Sequence, residues 1–315
     1  MGRFIARRIL WMIPVLFFIS VITFGLIKLV PGGPFNREKQ LPAEIVANLN
    51  KHYGIDQPTW KQYTDYMGFT RKPHGSYDGL LQGSFGPSFA SRSRTVNDIF
   101  RDHLPVSATL GLLAMALAIG IGVPLGVIAA LKQNSIWDYL SMTVAIFGVS
   151  VPSIVLAPLL ILFFSLILHW FPVSGWGTLD KMVMPAVALG LGSSAIIARL
   201  TRASMLQVIR EDYIRTARAK GLTERAVMVK HALKNAFIPV ATILGPMFAA
   251  LVTGTFVVER IFAIPGMGRF FINSIGNRDA PVIMGTTLLY AFFLVLSNLA
   301  VDITYGLLDP RIQYS

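Results

Sequence analysis

The stretch RLTRASMLQVIREDYIRTARAKGLTERAVMVKHALK at residues 199–234 decides the fold, because it is a long polar run between two membrane-length apolar segments. It carries nine cations (Arg199, Arg202, Arg210, Arg215, Arg218, Lys220, Arg225, Lys230 and Lys234) against Glu211, Asp212 and Glu224. Cationic loops between spans resist translocation, so this one belongs in the cytoplasm. Its middle, EDYIRTARAKGLTERA, reads as two short helices joined at Gly221. A helix presenting Tyr213, Ile214 and Ala217 can seat an apolar face in a partner's groove, with Ala217 and Ala219 permitting close approach. Arg215, Arg218 and Lys220 are then positioned to pair with acids on the rim. Gly221 supplies a positive-φ turn, Thr223 a cap for the second helix, and Glu224 a favourable charge in its first turn. The competing reading is a loop that packs only on its own bundle.

Composition agrees with a membrane setting. The chain has 315 residues, 54% apolar and 14% charged, too hydrophobic for an ordinary soluble protein. Its net charge of +12 sits largely in loops beside apolar spans, which indicates positive-inside topology rather than nucleic-acid binding. The absence of cysteine excludes disulfides, thiolate metal sites and a cysteine nucleophile. The opening MGRFIARRILWMIPVLFFISVITFGLIKLVPGGPF has the charged start of a signal peptide. Its apolar run from 9 to 27 is long enough to span, however, and PGGP rather than a small-residue cleavage site follows. A retained first helix is expected.

Topology follows from these signs. Arg3, Arg7 and Arg8 hold the N-terminus inside, and the first helix runs outward. A long extracytoplasmic segment is expected at about 31–104. Within it, LPAEIVANLNKHYG (Pro42 at the start, Ile45 and Leu49 on one face, Gly54 as the stop) and QPTWKQYTDYM (Trp60, Tyr63 and Met67 on one side) read as surface helices. A second span is expected at 105–131, with Gly120, Gly122 and Gly126 suited to close helix contact. The run 136–168 reads as one long helix kinked near Pro152, because an extra crossing would put the cationic loop outside. In the following HWFPVSGWGTLD, Trp170, Phe171 and Trp176 read as an interfacial belt. Further spans are expected at 184–197, 237–258 and 282–305, with VVERIFAIPGMGRFFINSIGNRDAP an external segment amphipathic enough for a re-entrant or surface helix. The fold class is therefore all-α integral membrane, with six transmembrane helices and both termini cytoplasmic. It divides into 1–104, the first helix plus the extracytoplasmic segment, and 105–315, a five-helix core carrying the loop 199–234.

Chemistry-bearing patterns are few. No GxxxxGK[ST], HExxH or GxSxG occurs, so no P-loop, zincin or hydrolase site is written here. Gly190-Leu-Gly192-Ser-Ser-Ala195 matches a dinucleotide pattern, but it lies inside a span with no strand before it, and is a chance match. The histidines (His52, His74, His103, His169 and His231) stand singly rather than at metal-ligand spacing. No acidic pair lies mid-span to couple ion movement. Asp302 falls near the inner end of the last helix, and Lys28 can snorkel at the outer end of the first. A membrane core without its own fuel site, joined to an organised cationic loop, implies that energy arrives from another subunit. A stand-alone channel or secondary transporter, and a membrane-bound enzyme, are the competing classes.

The loop resembles that of the permease subunits of ABC importers, whose motif is E-A-A-x3-G-x9-I-x-L-P. Ala217, Gly221 and Leu233 match it, whereas Arg215, Thr216, His231 and Lys234 depart, so no role of the leading Glu carries over. RTARAKGL is similar to the version in peptide permeases. The likeness extends through VPGGPF (30–35), GSFGPSF (83–89), TVNDIF (95–100), GVIAALKQNSIWDY (126–139), ILHWFPVSGWG (167–177), ERIFAIPGMGRFF (259–271) and the terminal DPRIQY. The whole looks most like the first membrane subunit of oligopeptide importers. That resemblance implies a type I ABC importer permease fold in a bacterial cytoplasmic membrane, non-catalytic and without its own cofactor. Its implied partners are a homologous second permease, two cytoplasmic ATPases that bind ATP and Mg, an extracytoplasmic peptide-binding protein, peptide substrate and membrane lipid, with no nucleic acid. Dipeptides, nickel chelates or other small peptidic compounds are alternative substrates. It further implies that Tyr213, Ile214, Arg215, Thr216, Ala217, Arg218, Ala219, Lys220, Gly221 and Leu222 form the ATPase-coupling loop. The segments 31–103 and 260–279 become candidates for binding-protein contact.

Overall fold

Hydrocarbon offers the backbone no hydrogen-bond partners, so each long apolar run must satisfy its own amides as helix. The computed structural model describes residues 2–35, 42–70, 78–91 and 93–308, and among these all extended structure is one isolated bridge, Pro87 to Thr95. The terminal DPRIQY motif and His74 lie outside the described residues. In chain order the helices are α1 (Gly2–Leu29), α2 (Ala43–His52), α3 (Thr59–Met67), α4 (Val96–Leu131), α5 (Ile136–Ser150), α6 (Ser153–Leu160) and α7 (Leu179–Val208). There follow α8 (Asp212–Ala219), α9 (Glu224–Ala226), α10 (Lys234–Val252), α11 (Phe256–Ile261), α12 (Gly268–Asn277) and α13 (Ala280–Leu308). Wider i→i+5 turns follow α6 over Ile161–Ile167 and link α9 to α10 over Val227–Leu233.

Five of these helical stretches are long and apolar enough to cross a membrane, and the bent pair α5–α6 with its wide turn makes a sixth. That pair corrects one expectation. Residues 136–167 are not a kinked helix but two helices meeting at 104°. The break falls at Val151-Pro152, where the proline removes an amide donor and pushes its predecessor into extended backbone, with Val151 at ψ 110°. The second span also begins earlier than expected. Thr95 caps α4 in a capping box with Asp98, so the helix enters from the extracytoplasmic side nine residues before Pro105.

α4 and α7 form the centre, and small residues let their backbones touch. A Cβ at Gly122 would lie 2.6 Å from the Ser194 carbonyl oxygen, and one at Gly126 2.5 Å from that of Ala198, whereas Gly120 faces open space. Gly122 and Gly126 therefore do the packing expected of them, and Gly120 does not. Half of the most apolar window of α7 is buried, against 17% of that of α1, so α7 is the pivot and α1 the periphery. α1 is tied on by its ends: Arg8 bonds Asp302 of α13 at 2.9 Å, Ser20 shares a hydrogen bond with Tyr63 of α3, and Lys28 donates to Gln62. On α3, Met67 is buried while Trp60 is 68% exposed, so Trp60 does not share the packed face with Tyr63 and Met67. Of the expected aromatic belt, Trp170 is exposed, but Phe171 and Trp176 pack on the core around Phe262.

Candidate functional site

The cytoplasmic end is built outward from α7. That helix runs unbroken from Leu179 to Val208, and the chain turns through Ile209 to Glu211 into α8. α8 ends in a Schellman closure: the Gly221 amide donates to the Arg218 carbonyl (2.9 Å) and the Leu222 amide to that of Ala217 (3.4 Å). Gly221 sits at φ +79° with nothing near its missing Cβ, so backbone conformation and not space requires glycine there. Thr223 then caps α9 by accepting from the Ala226 amide at 3.4 Å. Arg218 reaches across the glycine turn to Glu224, Nε to Oε1 at 2.7 Å, and clasps the two short helices together.

The orientation of α8 corrects the groove-seating expectation. Ile214 is fully buried and Ala217 is 6% exposed, both against this chain's own Met205, Val227, Met228, Ala232 and Ala236 and the end of α4 at Ala130. The apolar stripe is spent inside the subunit, since an exposed Ile next to an apolar helix junction gains most by covering it. Tyr213 is 41% exposed and accepts a hydrogen bond from Asn235 at 2.8 Å. What faces outward is Arg215, Thr216, Arg218, Ala219, Lys220, Gly221 and Leu222. The ten loop residues thus split into a buried base and a polar, cationic crest.

Two buried ionic arrangements that sequence reasoning missed brace the bundle. Arg202 of α7 grips Asp138 of α5 in a two-pronged bond, Nε to Oδ1 and Nη2 to Oδ2 each at 2.7 Å, with the aspartate side chain 4% exposed. Such a fork fixes orientation as well as distance. Near the opposite end, Glu259 of α11 is 2% exposed. It accepts from the Ser107 hydroxyl of α4 (2.7 Å), the Gly268 amide (2.8 Å) and the Thr255 amide (3.3 Å). Ser107 in turn accepts from the Met267 amide at 2.8 Å. The carboxylate ties α11 to the start of α12, so the expected single re-entrant or surface helix is two short helices joined at a tight corner. The signal for it was present: a lone Glu among apolar residues with Gly254, Gly266 and Gly268 crowding round its carboxylate.

Among the described residues no group of His, Asp and Glu is arranged to hold a metal ion. The geometry describes a helical bundle of up to six candidate membrane spans that carries a cationic platform on one end. The comparisons with known proteins agree. Residues 122–314 match the family described as binding-protein-dependent transport system inner membrane component, and residues 1–111 match the N-terminal region of such membrane components. The chain belongs to this family of multi-pass inner-membrane permeases of ABC transporters, with the type I permease fold. It is 45% identical over 313 residues to the dipeptide transport system permease protein DppB of Bacillus subtilis, covering 99% of this chain and 98% of that one. It is also 45% identical over 316 residues to the oligopeptide transport system permease protein OppB of Escherichia coli K12, covering 100% of each. Among solved structures, the inward-facing MetNI methionine ABC transporter superposes with a TM-score of 0.52 at 17% identity, over 65% of this chain and 96% of that one. That likeness is one of fold.

Proposed function

We propose that this chain is one of two homologous membrane subunits of an ABC importer for short peptides, and that its cytoplasmic crest receives the stroke of a partner ATPase. ATP and Mg are bound by the two ATPases, and an extracytoplasmic binding protein delivers the peptide. The observation that carries this reading is the platform itself: Arg215, Arg218 and Lys220 stand exposed on a base whose Ile214 and Ala217 are buried against α7 and the start of α10. A push on the crest then displaces α7 as a rigid rod, and α7 lies against α4, α5 and α10 through the membrane. The Asp138–Arg202 fork carries the same displacement to α5. Relatives of equal identity are named for dipeptide and oligopeptide transport, which supports short peptides as the substrate class.

The test is capture of the tagged chain from gently solubilised native membranes, with and without charge reversal of the crest (Arg215→Glu with Arg218→Glu). Wild type is expected to bring down a second permease and P-loop ATPases; the reversed variant is expected to keep the permease and lose the ATPases. Equal recovery of ATPases by both, with undiminished ATP-driven uptake of a labelled tripeptide, would reject the crest as the contact.

A further inference from the structure

A cleft of about 610 Å³ opens on the extracytoplasmic side, remote from the crest. Its size is that of a small-molecule site. It lies between the outer end of α1, the α2–α3 segment, and the junction of α12 with α13, and Phe24, Tyr53 and Phe89 give it an aromatic wall.

Its charges are unevenly satisfied. Arg278 ends α12 in the left-handed conformation (φ 52°), which turns its guanidinium over Gly32, where any side chain would collide with it. Lys28 lines the same cleft, donating to Gln62 and lying 5.3 Å above the ring of Phe24. Among the described residues, neither cation is paired with a carboxylate. The acids that line the cleft are already engaged: Asp65 accepts the hydroxyl of Thr70, and Asp78 has its own partner. An independent sign comes from Tyr66, whose hydroxyl is buried at the cleft without a hydrogen-bond partner. Burial raises its phenol well above the ordinary value, so it remains a neutral donor. Buried donors without acceptors are costly and call for a ligand oxygen.

We propose that this cleft binds a small anionic amphiphile, with a carboxylate or phosphate head taken by Lys28, Arg278 and the Tyr66 hydroxyl and an apolar body laid against Phe24, Tyr53 and Phe89. The head group can come from an outer-leaflet lipid or from a water-soluble organic acid. Two arms distinguish these with the intact, purified transporter: retention of dioleoylphosphatidylglycerol against dioleoylphosphatidylcholine in native mass spectrometry, and equilibrium dialysis of labelled N-acetylphenylalanine. At least one probe is expected to bind. Lys28→Gln and Arg278→Gln are each expected to weaken it about tenfold, the worth of one charge-assisted hydrogen bond. Lys28→Arg is expected to restore binding, and Arg269→Gln, outside the cleft, to leave it unchanged. Lipid retention alone identifies a lipid site, and dialysis binding alone a site for soluble acids. The proposal is overturned if neither probe binds the wild-type complex, or if both glutamine variants bind as wild type does.

Discussion

The α8 platform and the α11–α12 corner of this molecule are held by opposite means. At the cytoplasmic end, α8 is fastened by apolar packing of Ile214 and Ala217, and its charges are left outside. At the extracytoplasmic end, α11 and α12 are fastened by buried polar bonds on Glu259, and Ser88 and the Phe89 and Ala90 amides are gathered on Asp279. Apolar packing is non-directional and leaves the opposite face free to meet a partner. Buried carboxylates bonding backbone amides specify position closely. The platform is thus built to present charge, and the outer corner to keep its shape.

The comparison can be broken most severely at Glu259. Glu259→Ala leaves the Ser107 hydroxyl and the Thr255 and Gly268 amides without their buried acceptor, and a loss of about 3–5 kcal/mol is expected. Glu259→Gln, which keeps one acceptor oxygen, should lose less. Thermal denaturation of the detergent-solubilised protein, followed by size-exclusion chromatography, checks the order; equal midpoints for Glu259→Ala and wild type would refute the network. Next comes Ile214→Ala, which empties a fully buried site and is expected to cost about 2–5 kcal/mol. Because the loosened base frees the crest, trypsin should cut at Arg215, Arg218 and Lys220 faster than in wild type. Unchanged cleavage would mean that α8 is not held from beneath.

Smaller effects test the turn and the clasp. Gly221→Ala must hold a side chain at φ +79° in open space, so only backbone strain of about 1–2 kcal/mol is expected. Gly221→Pro cannot reach that φ and also lacks the amide that bonds Arg218, so it should unmake the turn and stop ATP-driven uptake at normal abundance. Uptake at the wild-type rate in Gly221→Pro would show the closure to be dispensable. The smallest change in stability is expected from Arg218→Ala: the Arg218–Glu224 pair is exposed and is worth no more than about 1 kcal/mol. Its thermal midpoint should match wild type in high salt, while ATPase recovery in the capture experiment falls. A large drop in stability would mark Arg218 as structural.

Much of this was legible because the signals are local. A cation-rich loop between apolar runs sets orientation, Pro42 and Gly54 bracket α2, and the Gly221 turn and the Thr223 cap follow from residue type alone. The inward face of α8 was not legible. Its Tyr-Ile-x-x-Ala spacing marks an apolar stripe but cannot say whether the covering surface belongs to the same chain or to another.

The membrane class and the family could be read from the chain alone, since hydropathy, charge bias and turn chemistry act over a few residues. The 104° break at Pro152, the Asp138–Arg202 fork between residues 64 apart, the Glu259–Ser107 bond between residues 152 apart and the cleft beneath Arg278 emerge in three dimensions alone. The physical reason is that a helix in lipid is apolar on nearly every side. Its periodicity therefore carries little information about which neighbour it will meet, and the pairings are settled by close packing and by the need of each buried polar group for a partner.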